Sequence, residues 1–317
     1  MSYLPADARK AQHIRHARRA KLPPEPYKPR EVLAAFGFLA PWLIGMSVFY
    51  IGPLIASGVY SLTDYPIIGS PRFTGLENYR KLMDDDQFVH AIRVTLIYTA
   101  FSLIIYVGFA LFVAILCNGT GRAIGLVRLL VFLPSLIPLF AAAVLWGWLF
   151  NRDFGLANFL LDRVGLPAQG FFQSAGQALP LTIMVGFWGI GSAFLTYLSG
   201  LQAIPGDLYE AITVDGAGAV GRFWHVTLPM LSPVILFNTV IGIVISFQVF
   251  DIGWVLTKGG PADSTLFWVL FIYRKAFEEF EMGYASALAW LLFLSVAVCT
   301  AVIFRVSRHW VHYEGRR

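Results

Sequence analysis

Six apolar runs, at about residues 32–60, 92–117, 126–150, 179–201, 229–256 and 282–304, divide the chain and are separated by polar intervals. Each run is continuous and matches the roughly 20 residues that a helix needs to cross a bilayer core of about 30 Å. The pattern predicts an all-α polytopic membrane protein with six transmembrane helices. It argues against a β-barrel, whose strands alternate lipid-facing and lumen-facing positions. Pro41, Pro53, Pro134 and Pro138 fall inside runs, where neighbouring helices can re-satisfy the backbone groups they free. Trp146 and Trp148 fall at the predicted outer end of the third span, the depth that indole rings favour. The fourth run is dense in small residues, Gly186, Gly189, Gly191, Ser192 and Ala193, which predicts close helix packing. A further apolar stretch, 266–273, is too short to span and is expected as an outer-surface or interfacial segment. The organisation is therefore a tail at 1–31, a membrane domain at 32–306 and a second tail at 307–317.

The polar interval 202–227 stands apart from the other loops. Ile204-Pro205-Gly206 ends the fourth run, and Asp207 with Glu210 three residues later has the form of a reciprocally capped helix start. A short helix is predicted from Leu208, with Leu208, Ala211 and Ile212 on one face and Glu210 and Thr213 elsewhere. Gly216-Ala217-Gly218 then lets the chain turn towards Leu228-Pro229.

Composition supports the membrane reading, with 57% hydrophobic and 14% charged residues and a mean hydropathy of +0.65, against about a quarter charged in soluble domains. The net charge of +5 does not point to nucleic acid, because the basic residues concentrate at the two ends of the chain. With outer loops whose acids match or exceed their bases, six spans place both termini of a multi-pass membrane protein in the cytoplasm. The basic tail at 1–31 is expected to be drawn to anionic membrane lipid. The interval 202–227 breaks the orientation rule, since Arg222 faces Asp207, Glu210 and Asp215. That imbalance predicts a partner presenting positive charge, with Glu210 as the pairing residue.

The wording EAITVDGAG, followed at fixed distance by VTLP, resembles the "EAA" loop of binding-protein-dependent ABC importer permeases. Glu210, Ala211, Gly216, Leu228 and Pro229 match that pattern, while Ile212 and Val226 replace its third Ala and its Ile. FTGLENYRKL, just after the first span, is also similar to the family. Thr257, Gly259, Gly260, Pro261, Thr265, Tyr273, Ala276, Phe277, Gly283 and Tyr284 resemble the maltose-type and glycerol-phosphate-type subunits of its carbohydrate-uptake branch. The resemblance implies the type I ABC importer permease fold and an ATP-driven import of a sugar or sugar-like solute. It implies a coupling helix seated in an ATPase subunit through Leu208, Tyr209, Glu210, Ala211, Asp215, Gly216 and Ala217. It further implies a second homologous permease subunit, two ATPase subunits holding ATP and Mg, and an extracytoplasmic solute-binding protein docking at Gly259-Gly260-Pro261.

Candidate chemistry narrows the picture without adding a reaction centre. There is no G-x-x-x-x-G-K-[ST] phosphate cradle, so no nucleotide cofactor is expected on this chain and it is read as a transport subunit, not an enzyme. His13, His16, His90, His225, His309 and His312 are scattered over tails and loops, and Cys117 and Cys299 lie in apolar runs, so no metal site is expected. Polar residues within spans mark a solute path instead. These are Trp188, Gly189 and Ser192 on the fourth span, and Asn238, Gly242, Ser246, Gln248 and Asp251 on the fifth. An aromatic plate beside hydrogen-bonding groups suits a sugar, whose ring face stacks while its hydroxyls need donors and acceptors. The competing reading, an ion-gradient-driven secondary transporter of small polar solutes, calls for mid-membrane ionisable residues and inverted repeats, neither of which is evident.

Overall fold

The computed structural model describes residues 29–312. Residues 1–28 of the basic tail expected at 1–31 and the last five residues lie outside them, and 29–31 begin the first helix. The helices are α1 (Pro29–Met46), α2 (Gly52–Tyr60), α3 (Glu77–Met83), α4 (Asp86–Leu116), α5 (Arg122–Phe132), α6 (Leu139–Leu149), α7 (Leu156–Arg163), α8 (Ala175–Gly186) and α9 (Gly191–Ala203). Then follow α10 (Gly206–Val214), α11 (Ala219–Arg222), α12 (Leu228–Phe247), α13 (Asp251–Leu256), α14 (Trp268–Tyr273) and α15 (Met282–Ser307). A minimal antiparallel ribbon pairs β1 (Thr63–Asp64) with β2 (Arg72–Phe73). The chain divides into two compact units, Met1–Ala56 and Ser57–Arg317, so the division falls within the first span.

Among the described residues, four helical stretches are long and apolar enough to cross a membrane uninterrupted: Leu33–Tyr60, Asp86–Leu116, Ala219–Leu256 and Met282–Ser307. The expected third and fourth spans are each broken. Arg122–Leu136 and Leu139–Leu149 meet at 96°, and Ala175–Gly189 and Gly191–Ala203 at 50°. The first break follows from proline chemistry. A residue before proline is pushed out of the helical region, and Ile137, before Pro138, is extended at φ −82°, ψ 126°. Pro138 then begins α6 without a side-chain cap. In the fourth span the small residues loosen the helix into a 3-10 turn at Phe187–Gly189. Close packing is present too: a Cβ at Gly191 would come within 2.6 Å of Ser135 Oγ and 3.2 Å of Phe132 Cα, so the two breaks lean on each other. Gly191→Leu is expected to lower the melting temperature of the purified protein, at a cost of about 1–3 kcal/mol for overpacking a closed contact. Gly189→Leu, with open space at its Cβ position, is the control.

The stretch 266–273 is not at the surface. Leu266, Phe267, Trp268, Leu270 and Phe271 are buried in one cluster with residues of α4, α12 and α15. An apolar segment too short to cross lipid has its backbone groups satisfied inside the bundle. Accordingly the Trp268 amide donates to Thr95 Oγ1 at 2.9 Å, while Thr95 Oγ1 donates to the Ala91 carbonyl at 2.8 Å. Nearby, Asp85 caps α4 by accepting from the amides of Gln87 and Phe88, and Tyr284 donates to its second carboxylate oxygen at 2.6 Å. Asn78 donates to the carbonyls of Ser61 and Thr63, both at 2.9 Å, tying α3 to the end of the first span.

Candidate functional site

The broken third and fourth spans, with α4 and α12, enclose a cavity of about 400 Å³. Pro138 and Leu139 of the first break and Phe187 to Ile190 of the second line it. Its polar groups are the hydroxyls of Tyr98, Ser102, Tyr106, Ser135, Ser192 and Ser246 and the indole of Trp188, and its lining contains no Asp, Glu, Lys, Arg or His. Ser135 and Ser246 donate to carbonyls within their own helices, at 2.7 Å to Phe132 and 3.1 Å to Ile243. Their lone pairs stay available as acceptors. Tyr106 and Ser192 face each other at 3.4 Å. The Trp188 indole N–H is buried with no acceptor among the described residues, and its ring meets Trp146 edge-on at 5.6 Å.

Five of the residues expected on the solute path, Trp188, Gly189, Ser192, Gly242 and Ser246, line this one cavity. Asn238, Gln248 and Asp251 do not: Asn238 is buried and donates to the Val234 carbonyl at 3.0 Å, while Gln248 and Asp251 are exposed. Helix α12 ends at Phe247, so the last two sit past its end. Residues that span-by-span reading missed are Tyr98, Ser102 and Tyr106 on α4 and Ser135 at the first break. Their signal was available, as Tyr98, Ser102 and Tyr106 recur at four-residue spacing and form a single helix face. Trp146, expected at the outer interface, is half-buried and stacked on Phe150 at 5.5 Å, whereas Trp148 is exposed.

Helix α10 lies within the interval 202–227. It begins at Gly206, two residues before the expected start, with Pro205 in the capping position and no side-chain cap. The reciprocal cap between Asp207 and Glu210 is therefore absent. Proline's fixed φ sets up the first turn, and Asp207 falls within it, where its charge favours the positive end of the helix dipole. The other end is a complete Schellman motif. The amide of Ala217 donates to the Ile212 carbonyl at 3.1 Å and that of Gly216 to the Thr213 carbonyl at 3.0 Å. Gly216 has φ +81°, the left-handed conformation that glycine adopts without penalty. Leu208, Glu210, Ala211, Asp215 and Gly216 are exposed, and Tyr209 and Ala217 are half-buried. Apolar Val214, Val220 and Trp224 are also exposed around them. Glu210 has no ion-pair or hydrogen-bond partner among the described residues.

The loop holding Gly259-Gly260-Pro261 is closed on itself. Arg274 donates to Asp263 Oδ1 at 3.0 Å and to the Lys258 carbonyl at 2.6 Å, and the hydroxyls of Thr257 and Thr265 meet at 2.6 Å. Gly259 is buried at φ +88°, where a Cβ would fall 2.5 Å from the Arg274 guanidinium. What the loop presents outward is Lys258 and Ala262. Among the described residues no three His, Cys, Asp or Glu side chains gather as a metal site.

Comparison with known proteins gives a consistent account of this architecture. Residues 107–312 match the family described as binding-protein-dependent transport system inner membrane component. The probable ABC transporter permease protein YesP of Bacillus subtilis is 36% identical over 292 residues, covering 90% of this chain and 94% of that protein. The sn-glycerol-3-phosphate transport system permease protein UgpA of Pectobacterium atrosepticum is 34% identical, covering 86% and 94%. The sulfoquinovosyl glycerol transport system permease protein SmoG of Agrobacterium fabrum is 33% identical, covering 87% and 91%. Among solved structures, a chain of a bacterial alginate ABC transporter in complex with its alginate pentasaccharide-bound periplasmic protein superposes with a TM-score of 0.79 at 22% identity. That likeness covers 88% of this chain and 96% of the other.

Proposed function

Because the chain belongs to the binding-protein-dependent transport system inner membrane component family, we propose that it forms half of the membrane pore of an ATP-driven importer for a sugar or sugar-like solute. Two ATPase subunits holding ATP and Mg grip α10 from the cytoplasm, and a second homologous permease subunit completes the pore. An extracytoplasmic solute-binding protein delivers the solute to the outer loops, meeting Lys258 and Ala262 at the rim of the Gly259-Gly260-Pro261 loop. Both termini lie in the cytoplasm, and 32–306 acts as the single membrane domain.

The observation that carries this reading is the cavity where two spans are broken. Broken helices lining a central cavity are a recurring way to build a solute site within a membrane. Hydroxyls and an indole with no ionisable acid or base in the lining suit a solute recognised by many hydrogen bonds and one stacked face. Relatives named for transport of sn-glycerol-3-phosphate and sulfoquinovosyl glycerol, both hydroxyl-bearing solutes, support the same class. The test is uptake by the complete importer in proteoliposomes, using a solute selected by binding to its solute-binding protein. Uptake is expected to require internal ATP and to survive a protonophore. Uptake without ATP that collapses with the ion gradient would establish the ion-coupled alternative instead.

A further inference from the structure

We infer that the hydrogen bond between Tyr209 and Thr227 is the internal strut that passes movement of α10 to the cavity-lining fifth span. This rests on the importer reading above, and it assigns Tyr209 an inward task in place of contact with the ATPase. The Tyr209 hydroxyl lies 3.0 Å from Thr227 Oγ1. Among the described residues it is the only side-chain hydrogen bond joining α10 to another element, the Thr213 hydroxyl being spent on the Tyr209 carbonyl of the same helix. Thr227 is a polar residue with only 8% of its surface exposed, and buried polar groups are costly unless paired.

The direction of the bond follows from counting protons. Thr227 Oγ1 lies 3.4 Å from the Arg222 carbonyl, five residues back, and has one proton to donate there. Its lone pairs are then open to the Tyr209 O–H, giving a chain from Tyr209 through Thr227 to the Arg222 backbone. That chain spans the five-residue π-helical turn Phe223–Thr227, which separates α11 from α12. A π turn within an α-helix is rare and weaker than the α form, and it concentrates at functional positions. Here it is the compliant point between the α10 region and a stiff span, and the two hydroxyls bridge it. From Thr227 the helix continues through α12 to Gly242 and Ser246 in the cavity wall. At 1.5 Å per residue that is a lever of about 28 Å. Without the bridge, displacement of α10 is absorbed by the Gly216 turn and the π turn instead of reaching Ser246.

The test needs no identified solute. In the complete importer, with Cys117 and Cys299 replaced by alanine, Ser192→Cys places a thiol in the cavity wall. Its labelling rate by a charged methanethiosulfonate reagent is measured with and without ATP and vanadate. The ATP-induced change in labelling is expected to shrink about fivefold in Tyr209→Phe and in Thr227→Val, the effect of removing one hydrogen bond. The double variant is expected to be no worse than either single one, and Thr227→Ser, which keeps the hydroxyl, is expected to behave as the parent. The ATPase subunits should co-purify equally with all of them. An undiminished change in both single variants, additive losses, or loss of the ATPase subunits from Tyr209→Phe would each overturn the strut. Should Thr227→Val fail to assemble, Tyr209→Phe, which removes a single oxygen, decides alone. No ATP-induced change even in the parent would instead remove the importer reading itself.

Discussion

Glu210→Lys is expected to abolish ATP-dependent uptake and to strip the ATPase subunits from the complex during purification. Glu210 is exposed on α10 and has no partner among the described residues, yet it belongs to an interval whose acids outnumber its single Arg222. On the proposed cytoplasmic side, an acidic loop runs against the general excess of Lys and Arg, and the proposed basic partner surface would account for it. Truncating one member of an interfacial charge pair costs about 2–5 kcal/mol, so Glu210→Ala should weaken assembly at least ~30-fold. Lys adds like-charge repulsion and should leave no measurable complex. Asp207→Asn, in the first turn of the same helix, loses only a dipole interaction of about 0.3–1 kcal/mol and should retain assembly. Co-purification of the ATPase subunits measures each case. Equal recovery from Glu210→Lys and the parent would show that the helix is not the gripped element.

How much of this was legible in the sequence differs from element to element, and the differences have physical causes. The α10 helix was readable because it is local: a proline-glycine start, an amphipathic turn and a left-handed glycine are all set by neighbouring residues. Its first residue was misplaced because an Asp-x-x-Glu spacing suits both a capping box and an acidic first turn, and Pro205 selected the second. The spans were legible as apolar runs, since length and hydropathy alone define them. Their interruptions were not, because a run such as LPSLIPLFAAAVLW is equally apolar whether straight or folded at 96°. The cue was the pair Pro134 and Pro138 with Ile137 between them, whose backbone preference outweighs hydropathy. Burial of 266–273 was also invisible to a surface-or-span choice, since a third option, folding back into the bundle, depends on Thr95 lying across from the Trp268 amide. Four of the cavity's seven polar side chains, Tyr98, Ser102, Tyr106 and Ser135, were also missed. Trp188 and Ser246 could be picked one span at a time, and the face of Tyr98, Ser102 and Tyr106 was open to the same reading, but Ser135 gains meaning only when the breaks bring it to the cavity.

Trp188→Ala is expected to raise the half-saturating solute concentration for uptake about 30-fold while leaving the ATPase subunits bound. The indole is the largest aromatic surface at the second helix break, beside Phe187, and its N–H is buried without an acceptor among the described residues. An unmatched buried donor costs about 1–3 kcal/mol, and under the proposed function a solute hydroxyl that reached it would relieve that cost on binding. Truncating an aromatic anchor in a desolvated pocket typically removes about 2 kcal/mol or more, which sets the fold-change at ~30. Trp188→Phe keeps a stacking face and loses the donor, so it should fall between parent and Ala. Ser246→Ala removes one acceptor and should cost about fivefold, near the ~1 kcal/mol of an ordinary hydrogen bond. Trp146→Phe separates solute contact from packing, because Trp146 supports the Trp188 ring edge-on from outside the cavity lining. If the Trp146 and Trp188 variants raise the half-saturating concentration equally, the indole acts by shaping the break and not by touching the solute. If only Trp188 and Ser246 respond, and in that order, the broken spans form the site where the solute pauses.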